Sequence, residues 1–299
     1  IKTGLGAMTI NGTQSHGAAS QLVLTGGSIT LNTDAGPSAA NLSMALQANT
    51  TATFNATEHL ASLAIADGHA TLAHDGGHAI ITSALSITGA GQLDVKNNSL
   101  IVHGAAIGTC DPSTHTYNGL SGLIQTGRDG GDWTGPGLIT SESAAQSPDL
   151  LTTLAIASAE QIGKAGKTWN GQSISSGDVL IMYTYNGDAN LDGRINGDDY
   201  FAIDSHVNEN GSVFGYASGD FNFDGRINGD DYFLIDSNIN KQGAPLGGFA
   251  DAAAVNSAAD IAGAAPVPEP GALAGLSLAL LACRRQSLPT PWHGSLTKP

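Results

Sequence analysis

Short apolar–polar alternations fill the first third of the chain. Leu22-Val23-Leu24, Ile29-Thr30-Leu31, Leu63-Ala64-Ile65, Leu72-Ala73-His74, Leu85-Ser86-Ile87, Leu93-Asp94-Val95 and Leu100-Ile101-Val102 each place apolar residues two apart. That period is the signature of a strand with one face buried. Gly26-Gly27, Gly76-Gly77, Gly89-Ala90-Gly91 and Asn97-Asn98 separate the runs and mark turns. Leu63 and Ile65 recur as Leu85 and Ile87 after 22 residues, and Leu72 recurs as Leu93 after 21. Several short strands per period of 20–25 residues predict a β-solenoid, in which each coil buries its inner face by stacking on the next. A hairpin-built β-sandwich is the rival arrangement.

Residues 105–186 are less regular. Two Gly-flanked aromatic turns surround Trp133 and Trp169, residues 150–165 carry weak helical character, and residues 178–185 read as a strand with Val179, Ile181, Tyr183 and Tyr185 on one face. This segment is expected to supply terminal coils or a cap, because an open end coil presents an unpaired strand edge. The predicted organisation is solenoid repeats over 1–104, terminal coils or cap over 105–186, a calcium module over 187–242, a linker over 243–265 and a tail over 266–299. The fold class is mainly β: a right-handed β-solenoid, then a small α calcium-binding module, then a hydrophobic C-terminal sorting segment.

Composition narrows the function. Of 299 residues only 12% are charged, 40 are glycine, and 26 acidic against 11 basic side chains leave a net charge of −15. Nucleic-acid binding is excluded, since a polyanion needs a basic surface. The two cysteines, Cys110 and Cys283, build no disulfide framework. The sequence opens on Ile1, with no basic-apolar leader after it, and reads as a fragment or a processed chain.

The chemistry lies in a tandem repeat. Residues 187–205 and 219–237 match almost position for position at an offset of 32. Each copy has the spacing of an EF-hand-like loop. Asp188, Asn190 and Asp192, and again Asp220, Asn222 and Asp224, occupy loop positions 1, 3 and 5. Gly193 and Gly225 stand at the sharp turn of position 6. Arg194 and Arg226 offer backbone carbonyls at position 7, Asn196 and Asn228 can hold a bridging water at position 9, and Asp199 and Asp231 close each loop at position 12. Hard oxygen donors in a flexible loop select calcium, one ion per loop and two in all. Ile195 and Ile227 are expected to point inward and pair the loops. Asp198 and Asp230 are expected at helix starts rather than on the metal. Between Asp188 and Asn240 stand 11 acidic and 2 basic residues, a charge that a bound cation would relieve. Tyr200, Phe201 and Ile203, with Tyr232, Phe233 and Ile235, are expected to form the apolar faces of two exiting helices.

A calcium loop followed by a single helix, present twice and entered from the Tyr183-Thr184-Tyr185 strand, resembles the dockerin type I family. The resemblance implies a small calcium-folded module that docks onto a cohesin-like or other surface protein. Positions 10 and 11, where that family usually carries a Ser/Thr pair, are Gly197-Asp198 and Gly229-Asp230 here. At the other end, Val267-Pro268-Glu269-Pro270, the apolar stretch 271–283 and Arg284-Arg285 resemble a PEP-CTERM sorting signal. That implies an exported protein, anchored transiently in the inner membrane, cut by an exosortase and left in the cell envelope or outside the cell. The order of these parts is similar to secreted surface proteins of planctomycete-type bacteria, and the repeats to autotransporter-associated β repeats.

No nucleophile elbow, zincin, Walker or Cys-x-x-Cys pattern is present. His59, His69, His74 and His78 fit no zinc spacing, and Asp129 with Asp132 beside Trp133 offers only the outline of an acid–base pair next to a sugar platform. No catalytic residue is assigned. The sequence thus points to a non-catalytic exported surface or matrix protein. The alternative is a secreted polysaccharide-active hydrolase or lyase, with extracellular polysaccharide as partner.

Overall fold

The computed structural model describes residues 1–37, 39–209 and 212–247. The chain is mainly β and is built around a β-solenoid of about four turns. Ile1–Ala250 forms one compact unit. The linker beyond Gly247 and the whole sorting tail, including Pro268-Glu269-Pro270 and Arg284-Arg285, lie outside the described residues. No helix among the described residues is long and apolar enough to cross a membrane.

Strand β1 (Ala7–Ile10) opens the solenoid. The coils that follow are β2 (Ser20–Leu24) with β3 (Gly27–Leu31), then β4 (Leu42–Leu46), β5 (Thr50–Phe54) and β6 (Glu58–Leu60), then β7 (Ser62–Ala66), β8 (His69–Leu72) and β9 (Ala79–Thr82), then β10 (Leu85–Thr88), β11 (Gln92–Asp94) and β12 (Ser99–Val102). Corresponding strands of successive coils pair in parallel, so β1, β3, β5, β8 and β11 form one sheet, β2, β4, β7 and β10 a second, and β6, β9 and β12 a third. Leu63 and Ile65 pair with Leu85 and Ile87, as their 22-residue offset predicts. Leu93 pairs instead with Ala70, two residues before Leu72. A slip of two leaves every side chain on its expected face.

Inward positions are apolar: Leu24, Ile29, Leu31, Met44, Ala52, Phe54, Leu63 and Ile65 are all buried. Outside, asparagines stack from coil to coil. Asn32 donates to Asn11 at 2.5 Å and Asn55 donates to Asn32 at 2.7 Å, a ladder that couples successive coils on the exposed side.

The cap departs from expectation twice. A short hairpin, β13 (Cys110–Asp111) and β14 (Thr116–Tyr117), leads into helix α1 (Gly119–Arg128), where the sequence pattern predicts none. Three glycines in ten residues lower the helix propensity of this stretch. Two of them are required by packing: a Cβ on Gly127 would lie 2.0 Å from the Leu138 carbonyl oxygen, and one on Gly122 would lie 2.4 Å from that of Tyr117. Strand β15 (Gly137–Ile139) extends the first sheet beyond β11.

The predicted helix within 150–165 is instead strand β16 (Thr152–Ser158). After the small hairpin β17 (Thr168–Trp169) and β18 (Gln172–Ser173) comes β19 (Val179–Tyr185), the strand expected there. It pairs antiparallel with both β12 and β16 and is buried on both faces rather than one. The parallel stack therefore ends on an antiparallel pair. Helices α2 (Gly197–His206) and α3 (Gly229–Ile239) follow the two acidic loops.

Candidate metal centre

Strand β19 delivers the chain into the first loop through Gly187, whose φ of 123° favours glycine. Asp188 accepts from Asp192 N at 3.1 Å through Oδ1 and from Gly193 N at 2.8 Å through Oδ2. Thr184 adds a hydroxyl donor to the same Oδ2. Asn190 Oδ1 accepts from Asp192 N at 2.9 Å, and Asp192 Oδ1 accepts from Arg194 N at 3.0 Å. Asp199 closes the loop: its Oδ1 accepts from Ala189 N at 2.9 Å and its Oδ2 from Asn196 N at 2.8 Å.

The second loop repeats this pattern. Asp220 accepts from Asp224 N at 3.1 Å and Gly225 N at 2.9 Å. Asn222 accepts from Asp224 N at 2.7 Å, and Asp224 from Arg226 N at 2.9 Å. Asp231 accepts from Phe221 N at 2.8 Å and Asn228 N at 3.0 Å. Gly193 and Gly225 sit at φ 87° and 76°, so position 6 makes the left-handed turn in both copies. Asn196 and Asn228 cap α2 and α3, each accepting from the backbone N–H of Asp198 or Asp230. Asp198 and Asp230 themselves stand exposed in the first helical turns, where the helix dipole favours a negative charge.

Asp188, Asp199, Asp220 and Asp231 are all 0% exposed, and among the described residues no basic side chain lies within 4.0 Å of them. Burial pushes Asp188 well above the ordinary carboxylate range, and Asp199 and Asp192 add to it while the Thr184 hydroxyl opposes. Burial likewise raises Asp199 and Asp220 to about 6 and Asp231 to about 7. Among the described residues, no group of three or more His, Cys, Asp or Glu side chains converges as a metal cage. The carboxylate oxygens are instead turned onto loop N–H groups. The donors still suit a hard cation: every side chain at positions 1, 3, 5 and 12 offers oxygen, and among the described residues the buried carboxylates have no cationic contact.

Ile195 and Ile227 are buried as expected. They do not pair through their backbones among the described residues. The Gln242 side chain instead bridges Ile195, accepting from its N–H and donating to its carbonyl, both at 2.7 Å. Phe201 and Phe233, expected in the core, are 73% and 70% exposed. Tyr200 and Tyr232 are only partly buried, while Ile203 and Ile235 are fully buried.

The loops are built onto the cap. Gln125 donates to the Phe223 carbonyl at 2.8 Å, and Asn238 donates to the carbonyls of Leu150 and Asn186 at 3.0 and 3.1 Å. Buried Tyr216 accepts from Gly187 N at 3.0 Å and packs on Phe221 and Phe223. The Gln125 and Asn238 bonds cross the boundary expected at residue 187. Tyr117, which donates to Asp220, and Gln125 carry no loop-like spacing, and nothing in the sequence marks them as partners of the repeat.

The other candidate groups do not assemble. His59 pairs with Asp34 at 2.7 Å, His74 with Glu142 at 2.6 Å and His78 with Asp75 at 2.7 Å, while His69 lies in β8. Asp129 opens a short 3-10 helix after α1 and Asp132 lies in the turn that follows, both exposed. Trp133 is 3% exposed and its indole N–H donates to the Ala145 carbonyl at 2.9 Å, so it offers no sugar platform. No family model, curated protein or solved structure matches the chain.

Proposed function

We propose that this is a non-catalytic exported surface or matrix protein in which a β-solenoid displays a face and a tandem dockerin-like element binds two calcium ions. The observation that carries the reading is the duplicated set of fully buried carboxylates, Asp188 with Asp199 and Asp220 with Asp231, held by the same hydrogen bonds in both loops. Buried like charges are costly unless paired or bound to metal. Bound calcium would neutralise them, with Asn190 and Asn222 as neutral oxygen donors and Arg194 and Arg226 offering carbonyls. The ion's role would be structural, tying each loop to the helix that follows it.

On this reading docking goes to a cohesin-like or other surface protein, with extracellular polysaccharide as a further partner. Exosortase processing of the tail belongs to the same proposal. The polysaccharide-active alternative draws no support from Asp129, Asp132 and buried Trp133. The test is equilibrium dialysis of the full chain against calcium after chelation. Two ions per chain, with magnesium competing weakly, are expected; stoichiometry near zero would overturn the calcium reading.

A further inference from the structure

The two loops share donors and hydrogen bonds, yet one buried basic side chain distinguishes their surroundings. Arg128, the last residue of α1, is 7% exposed. Among the described residues its guanidinium makes no hydrogen bond and has no carboxylate within 4.0 Å. It lines a groove of about 470 Å³ together with Gln125, Asn222, Phe223 and Asp224, the last three from the second loop. A buried cation without a contact partner is costly by itself. Burial pulls the Arg128 pKa down, and the fields of Asp220, Asp231 and Asp224 pull it back up. The shared groove places Arg128 beside Asn222 and Asp224 of the second loop without an ion pair to any carboxylate of the described residues.

The first loop has no counterpart: among the described residues Arg128 is the only buried Lys or Arg, and it borders the second loop. Arg194 and Arg226 are exposed and stand at equivalent positions, though the Arg226 guanidinium also donates to His115 Nε2 at 3.1 Å. Thr184 on Asp188 and Tyr117 on Asp220 are matching hydroxyl donors and cancel in the comparison. What remains is the exposed Arg226–His115 pair and buried Arg128, and only Arg128 acts out of water, where Coulomb terms are large.

We propose that Arg128 makes the two loops unequal calcium sites, so that the 188–199 loop fills first and the 220–231 loop second and more weakly. The inference rests on the proposed reading that both loops bind calcium. A divalent ion entering the second loop meets a fixed like charge in a poorly solvated setting, where Coulomb terms are large and salt screens little. With that ion bound, three carboxylates, one guanidinium and one divalent cation balance. The loaded first loop keeps one negative charge over. Before loading, the second loop is already partly compensated and the first is not. Both differences favour the first loop as the tighter site.

The experiment is calorimetric titration of the full chain with calcium chloride at pH 7.5 after chelation. The wild type is expected to show a tight and a weak step. Asp199→Asn should remove the tight step and Asp231→Asn the weak one. Arg128→Gln should tighten the weak step about tenfold and leave the tight one within about twofold. Arg128→Lys, which keeps the charge, should leave the weak step weak. Two equal steps, loss of the tight step in Asp231→Asn, or an unchanged weak step in Arg128→Gln would overturn the inference while leaving calcium binding intact. No uptake by the wild type would instead overturn the calcium reading, and this inference with it. Should Arg128→Gln fail to fold, the assignment by the two Asn variants and the Arg128→Lys titration still decide.

Discussion

The Tyr117 hydroxyl donates to Asp220 Oδ2 at 2.5 Å, joining the cap hairpin to the second acidic loop across 103 residues of sequence. It also accepts from Gly215 N at 2.8 Å, so one phenol fixes both the loop's first carboxylate and the turn before it. Tyr117 is 6% exposed and Asp220 0%. The bond is therefore made out of water, where losing a partner strands the other group.

Removing that hydroxyl should be felt by the whole compact unit. Tyr117→Phe keeps the ring against Phe223 and deletes only the donor. The expected loss is about 1–3 kcal/mol in urea unfolding of the calcium-free chain. A loss no larger than that of an exposed control such as Thr114→Ala would show that the loop does not depend on the cap.

The two exposed phenylalanines give the opposite expectation. Tyr200 donates to Asp236 at 2.7 Å and Tyr232 donates to Asp204 at 2.5 Å, so α2 and α3 clasp each other through reciprocal pairs. The residues next in sequence, Phe201 and Phe233, then face solvent. Phe201→Ser and Phe233→Ser should each shift stability by no more than about 0.5 kcal/mol, the range of ordinary surface changes. A loss of about 3–5 kcal/mol, as for a buried Phe, would restore them to the core.

Helix α1 depends on a missing side chain. Gly127→Ala places a methyl 2.0 Å from the Leu138 carbonyl oxygen in β15, a backbone atom that cannot rotate away. The helix must lift from the sheet, at an expected cost of about 1–3 kcal/mol despite alanine's better helix propensity. Ser substitution at exposed Gly130, with open space around its Cβ position but φ 72°, separates backbone strain from this steric effect. Thermal melts of both variants measure it, and a Gly127→Ala protein as stable as the wild type would contradict the close approach.

The solenoid was legible because its stacking is written twice, in the period-two faces and in the 22-residue return of Leu63 and Ile65. The Leu93 register was not, since a shift of two residues leaves the faces unchanged. β16 reads as a helix because Leu154, Ala155, Ile156 and Ala157 are all buried, and a strand covered on both faces loses its alternation. α1 was hidden by the glycines that let it pack. In the repeat, side-chain identity at fixed spacing outlined each loop and its helix. The partners that hold the loops, Tyr117 and Gln125, lie about a hundred residues upstream, beyond the reach of local spacing.

Glu58 sets a pH dependence unconnected with the acidic loops. It sits in β6 at 0% exposure, with Oε2 accepting from Ala35 N at 2.8 Å and Oε1 without a partner. Burial pushes its pKa from 4.5 up to about 8; the Ala35 hydrogen bond opposes and the charge of Asp34 adds to the rise. The folded protein thus holds a proton there that the unfolded chain releases above its lower pKa. The stabilisation from keeping Glu58 neutral is full below about pH 4.5 and is lost as pH rises towards 8. Glu58→Gln mimics the neutral form and does not titrate. Its stability relative to the wild type should rise between pH 5 and 8.5 by roughly 2–4 kcal/mol. Urea unfolding of both proteins in parallel, with calcium and salt held constant, cancels the contribution of the loop carboxylates. A difference that stays flat with pH, or grows towards acid, would show that Glu58 is not held neutral in the folded solenoid.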